Sequence, residues 1–266
     1  MNLGNYILKE DINMKKTRTK TLQLLNIIGF TGTIIINFLA NYLPINGKTT
    51  GELSEMYPNL FTPAGITFSI WGVIYLLLAG FIIYQSRGLL TDKRAPEIVN
   101  KIGWLFFISS AANIGWIFAW HYMKVLLSVM IMLVLLISLI MIYRRLEEFN
   151  TGINEIRGLK KIFTKIPFSI YLGWISIATI ANITAYLVHI NWNGFGLSDV
   201  FWTITVIILG LLLTTYFVLN KEDIAYSLVV IWAYSGIIIK RLSVEPQYNS
   251  IIFTAAGCIL IILVEI

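Results

Sequence analysis

Long apolar runs separated by short polar stretches set the pattern of this chain. Stretches of roughly 17–25 apolar residues with few or no charges read as membrane helices. Eight such runs stand at about 23–43, 64–86, 102–120, 125–143, 167–189, 199–219, 224–239 and 250–266. None alternates with the period of two that barrel strands need, and lipid admits only helices or closed barrels. The expected fold is therefore all-α, a polytopic membrane helical bundle. Residues 1–20 are polar and basic without apolar periodicity, and a mobile tail is expected there. The run at 23–43 exceeds the roughly 7–15 residues of a signal-peptide core and carries Asn26, Asn37 and Asn41, so it reads as a retained helix. Pro44 to Pro63 forms a long connection with Gly47, Gly51 and the apolar anchors Met56, Tyr57, Leu60 and Phe61, the make-up of a functional lid. Residues 146–166 form a charged connector, partly helical, and no internal repeat of the transporter kind is visible.

Charge adds direction to these helices. The chain is 57% hydrophobic with a mean hydropathy of +0.77. All 14 acidic residues lie outside the apolar runs or at their ends, with Asp199 and Glu265 the nearest approaches. An intramembrane carboxylate is costly and marks an ion or proton path; its absence argues against a carboxylate-driven pump. Basic residues gather before the first run (Lys9, Lys15, Lys16, Arg18, Lys20) and in alternate connections (Arg87, Lys93, Arg94, Lys101; Arg144, Arg145, Arg157, Lys160, Lys161, Lys165; Lys221). The other connections hold Lys48, Lys124, Lys240 and Arg241. By the positive-inside rule both termini are expected in the cytoplasm of a cell-membrane protein. Lys240 and Arg241 stand against that rule, and a re-entrant run among the last three would also account for them. The net charge of +6 thus reports topology and contact with anionic lipid, with no nucleic-acid partner. A single Cys258 and two His leave no disulfide framework and no multi-ligand metal site to expect, and no motif requires a cofactor.

Three intramembrane motifs carry polar-tipped aromatics at helical spacing. Pro63 opens the second run and leads to Trp71 and Tyr75, four apart and so on one face. In the third run Asn113 precedes Trp116 by a turn, and Trp120 follows on the same face. In the fifth, Tyr171-Leu-Gly-Trp174 is followed by Asn182 and Tyr186, an amide and a phenol on one face.

With these residues the chain resembles the TspO/translocator protein family, the tryptophan-rich sensory proteins. Trp71, Gly72 and Tyr75 stand where that family has Trp-Gly-x-x-Tyr-like residues, Asn113 and Trp116 match its Asn-x-x-Trp, and Tyr171, Leu172, Trp174 and Asn182 match its fifth helix. The resemblance covers about residues 23–190. It departs at Thr62-Pro63 (paired prolines in the family), at Gly65 (Trp), at Ser69 (Pro) and at Tyr186 (Trp). No basic residue follows Tyr186 closely, which removes the proposed sterol-recognition pattern from its usual place. The resemblance implies a five-helix domain over 22–190; the basic tail at 1–21 precedes it, and because the family has five spans the three runs over 191–266 form an extension without a counterpart in it. It implies a pocket that binds a porphyrin or haem, lined by Trp71, Trp116, Trp174 and Asn182; the motif residues Pro63, Tyr75, Asn113 and Tyr186 complete the expected ligand-binding set. A receptor or sensor for a small, flat hydrophobic ligand is the expected function.

Other readings stand beside this one. Aromatics at helical spacing also serve packing, and Asn113 and Asn182 also serve as interhelical hydrogen-bonding glue. His121 and His189, at helix ends, are expected to be solvated. Ala111 and Gly115 form a small-xxx-small pair that suits a homodimer through the third helix. A permease for a hydrophobic metabolite, not ion-coupled, is the alternative function, and porphyrin degradation enters by family resemblance alone.

Overall fold

The computed structural model describes residues 3–43, 45–89, 95–149 and 158–266. Pro44, Lys93, Arg94, Arg157 and the middle of the 146–166 connector lie outside the described residues. All eight apolar runs are helical, and no strand occurs among the described residues. In chain order the helices are α1 (Leu3–Tyr42), α2 (Thr50–Glu55), α3 (Ile70–Gln85), α4 (Ile98–Ile102), α5 (Leu105–His121), α6 (Val125–Phe149), α7 (Gly158–His189), α8 (Asp199–Lys221), α9 (Ile224–Leu242) and α10 (Asn249–Glu265). Six of them are long and apolar enough to cross a membrane; α5 and α10 are apolar but only 17 residues each.

One expectation is corrected. The stretch read as a mobile tail is helical from Leu3 and continuous with the first apolar helix. No proline interrupts residues 3–43, and extending a nucleated helix costs little per residue even where the sequence is polar. The charged connector is partly helical as expected, with helix on both flanks: α6 continues to Phe149 and α7 starts at Gly158.

Buried amides and hydroxyls hold the helices together, because an unpaired polar group in lipid has no water to turn to. Near the first turns of the bundle-embedded part of α1, Asn26 donates to Gln85 Oε1 at 3.1 Å, Gln85 donates to the Gln23 carbonyl at 3.1 Å, and Gln23 donates to the Gln85 carbonyl. At the same end Asp223, only 4% exposed, caps α9. It accepts from Tyr143 Oη at 2.7 Å, Ser169 Oγ at 2.6 Å and the Tyr226 amide at 3.2 Å. Position between two apolar runs did not reveal that this carboxylate is enclosed; three donors from α6, α7 and α9 make the enclosure tolerable. Thr215 donates to Glu265, so α10 runs parallel to α8 and ends at this same, basic-rich end.

Helix α7 is the hub: it packs against α3, α6 and α9. The last three helices pack on one another, and α9 ties them to the rest. Each of the three is one unbroken helix. Gly173 lets α9 lie close, since a Cβ there would meet Val229 Cβ at 3.1 Å and the Tyr226 carbonyl at 3.2 Å. His121 is a further correction: it is fully buried rather than solvated, with Nδ1 2.8 Å from the Ile117 carbonyl. His189 is exposed and meets the Tyr57 ring edge-on at 5.9 Å. Ala111 is exposed on α5, whereas Gly115 faces Ile131 of α6 within its own chain.

Candidate functional site

The segment between α1 and α3 folds over one end of the bundle and is pinned at several points. Thr49 and Glu52 form a capping box on α2: the Thr49 amide donates to Glu52 Oε2 at 2.7 Å, and the Glu52 amide donates to Thr49 Oγ1 at 3.2 Å. These bonds hold the Glu52 carboxyl below its ordinary range. Leu53 and Phe61 are each 1% exposed and anchor the segment from beneath. Burial pushes the Tyr57 phenol up; its ring lies 5.6 Å from Trp120. Asn59 Oδ1 accepts from the Phe61 and Thr62 amides at 3.0 and 2.8 Å, a local turn that aims Pro63 into the bundle. A 3₁₀ turn over Gly65–Ser69 then leads into α3.

Under this segment the aromatics converge. Trp71 stacks on Tyr75 at 5.5 Å and meets Tyr171 and Trp174 edge-on at 5.9 and 6.2 Å. Phe68 meets Trp174 edge-on at 5.8 Å. Across from them Trp116 stacks on Trp120 at 5.9 Å, and Trp120 Nε1 donates to the Thr50 carbonyl at 3.3 Å. Phe68, Trp71, Trp116, Trp120 and Trp174 line, together with Asn182, a cavity of about 50 Å³ bordered by Thr50, Ser54 and Thr62. Trp174 Nε1 is buried and has no hydrogen-bond partner among the described residues.

Of the expected site residues, Trp71, Trp116, Trp174 and Asn182 line this cavity. The other four stand elsewhere. Pro63 lines a larger neighbouring cavity. Tyr75 backs Trp71, its hydroxyl buried without a partner among the described residues. Asn113 lies between α1, α5 and α7, accepting from Asn37 at 2.7 Å and donating to Tyr171 Oη at 3.0 Å. Tyr186 is half-buried and outside the cavity lining. Asn182 is itself engaged: it accepts from Trp116 Nε1 at 3.0 Å and donates to Ser128 Oγ at 3.0 Å. Its amide therefore orients Trp116 as well as facing the cavity. Trp120 stands in the motif of the third run without being assigned to the site, and Phe68 lies between Pro63 and Trp71 in the motif of the second. Thr50, Ser54 and Thr62 carried no signal, because their position depends on how the α1–α3 segment folds back.

The larger cavity, about 490 Å³, shares Ser54, Thr62 and Phe68 with the aromatic one. It lies between the α1–α3 segment and the α9–α10 connection, with Tyr57, Leu60, Pro63 and Tyr248 on its walls. Contacts from α9 shape its floor. Trp232 Nε1 donates to the Thr67 carbonyl at 2.9 Å, and the Ala64 amide donates to the Gly236 carbonyl at 3.0 Å. A ligand pocket commonly measures about 300–1,000 Å³, so the outer cavity is of ligand size while the aromatic one is not.

The sequence model of the family described as TSPO-like protein matches residues 23–266. That match runs on through α8, α9 and α10, past the residue 190 at which the motif resemblance stopped. No curated protein and no solved structure matches the chain.

Proposed function

The chain belongs to the TSPO-like protein family, and from that premise we propose that it is a membrane receptor or sensor for a flat hydrophobic ligand such as a porphyrin. The observation that carries this reading is the convergence of Trp71, Trp116, Trp120 and Trp174 on one cavity directly beneath a cavity of ligand size. Affinity would come from burying aromatic surface, with stacked and edge-on rings each adding about 0.5–1.5 kcal/mol beyond the area term. The ligand body would enter the outer cavity, and its inner edge would reach the tryptophans by displacing Phe68, Ser54 and Thr62. The basic-rich end of the bundle would face the cytoplasm of a cell-membrane protein, so the cavity would open on the opposite side.

Binding without passage is the reading favoured over the permease. Below the aromatic cavity Phe81, Phe106 and Phe168 pack on one another with centroids 4.9–5.9 Å apart, each at most 1% exposed. They fill the space that a translocation path between α3, α5 and α7 would need.

The test is a titration of the purified protein in detergent with protoporphyrin IX and haem, following tryptophan fluorescence. Saturable quenching at micromolar concentration or below, weakened in Trp71→Phe and Trp174→Phe, is expected. Linear quenching of equal slope in all three proteins would refute the pocket.

A further inference from the structure

Lys240 and Arg241 sit at the end of the bundle where positive charge is scarce, and the reading of the aromatic cavity gives them no role. Both line the outer cavity. Lys240 has a neighbour, Glu55, at 3.8 Å. Arg241 is only 5% exposed, its Nε is buried without a partner, and no hydrogen bond or ion pair to it exists among the described residues. Three carboxylates share the cavity wall, and none of them pairs with Arg241. Glu55 faces Lys240; Glu245 accepts from the Gln247 amide at 3.1 Å; Asp199, at the first turn of α8, is exposed. A buried guanidinium with idle donors is costly, and its planar fork fits a carboxylate in two parallel hydrogen bonds. The wall supplied by the α1–α3 segment carries the apolar and aromatic side chains Tyr57, Leu60 and Phe68.

We propose that Arg241, assisted by Lys240 at the rim, receives the carboxylate of an amphipathic ligand whose apolar body lies in the outer cavity against Phe68 and Leu60. This rests on the reading of that cavity as the ligand's seat and narrows its occupant to a small organic acid. The geometry divides the work. The side toward the tryptophans takes a flat apolar surface, and the side formed by the α9–α10 connection takes charge. An unpartnered donor in a pocket discriminates strongly, because a ligand lacking the acceptor leaves it unpaired.

The experiment compares 1-pyrenebutyrate with 1-pyrenebutanol, which share a flat body and differ in the carboxylate, by fluorescence titration of the purified full chain in detergent. Wild type is expected to bind the acid about tenfold or more tightly than the alcohol, the scale of a charge-assisted hydrogen bond. Arg241→Gln is expected to remove that preference by lowering acid affinity about tenfold while changing alcohol affinity by much less, and saturable alcohol binding in the variant also shows that the cavity is intact. Arg241→Lys should restore part of the preference, and Lys240→Gln should reduce it by less. Equal affinity for acid and alcohol in wild type, or no saturable binding of either, would overturn the proposal. So would an acid preference that survives Arg241→Gln. Displacement of the acid by phosphatidylglycerol but not phosphatidylcholine would assign Arg241 to a lipid headgroup and overturn the small-acid assignment. An Arg241-dependent preference without porphyrin quenching would sink the porphyrin reading alone; tryptophan-dependent porphyrin quenching without acid preference would sink this one alone.

Discussion

Replacing Gly236 by alanine drives a methyl group into the segment that opens α3. A Cβ at that position would overlap Thr67 Oγ1 and lie 2.9 Å from Pro63 Cβ, so α9 must retreat from the segment. Two hydrogen bonds depend on the close approach: Ala64 N–H to the Gly236 carbonyl at 3.0 Å and Trp232 Nε1 to the Thr67 carbonyl at 2.9 Å. Overpacking costs about 1–3 kcal/mol, and each lost bond adds about 1 kcal/mol. The better helix propensity of alanine returns about 1 kcal/mol. A net destabilisation of about 2–4 kcal/mol is expected, or a fall in Tm of roughly 5–10 °C on the scaling of domains of this size. Thermal unfolding in detergent, followed by tryptophan emission, reads it directly. Gly257→Ala is the control, because nothing lies within 4 Å of the added methyl in the middle of α10; its Tm should stay level or rise slightly. Porphyrin affinity should also fall in Gly236→Ala, since Phe68 belongs to the displaced segment. A Gly236→Ala protein melting within about 1 °C of wild type would refute the argued packing of α9 on residues 63–67.

Asn182→Leu should cost about 1–2 kcal/mol in the same melt, because Trp116 Nε1 loses its acceptor and Ser128 its partner; lost ligand affinity at unchanged stability would instead make Asn182 a direct ligand contact. Asp223→Asn turns an NH2 donor toward at least one of three donors from Tyr143, Ser169 and Tyr226 and should destabilise by about 2–3 kcal/mol; an unchanged melting point would exclude the buried network. The Glu52 carboxyl is held low by Thr49, so its contribution to the α2 cap is complete above the ordinary carboxylate range and is lost as pH falls through its depressed value. The protection of the amides at residues 50–56, taken as exchange relative to an unstructured peptide at the same pH, should therefore fall on acidification, and Glu52→Gln should make that protection independent of pH in this window.

Much of the aromatic site was legible along the chain because it is local. Trp71 with Tyr75, and Trp116 with Trp120, are four residues apart, and helix geometry alone stacks each pair. The same geometry set Asn182 and Tyr186 on one face, yet only Asn182 lines the cavity; Tyr186, one turn further along α7, is half-buried outside the lining. Asn113 was read equally as glue or ligand contact; its bonds to Asn37 and Tyr171 are interhelical glue. The helical nature of residues 3–20 was missed because apolar periodicity was the signal sought, and a polar extension of a nucleated helix has none.

By itself the sequence determined the all-helical bundle, the positions of its eight apolar helices and the stacked aromatic pairs. These follow from the solvent, which forbids unpaired backbone, and from a 3.6-residue repeat. Tertiary structure alone decided that α9 floors the outer cavity. Trp232 meets Thr67 across 165 residues of chain, and Gly236 meets Pro63 and Thr67 by lacking a side chain. It also decided that Asp223 is enclosed and that Arg241 faces a cavity without a partner among the described residues. Contacts of that range depend on which turn of one helix lies against which turn of another, and side-chain fit sets that register without leaving a local pattern in the sequence.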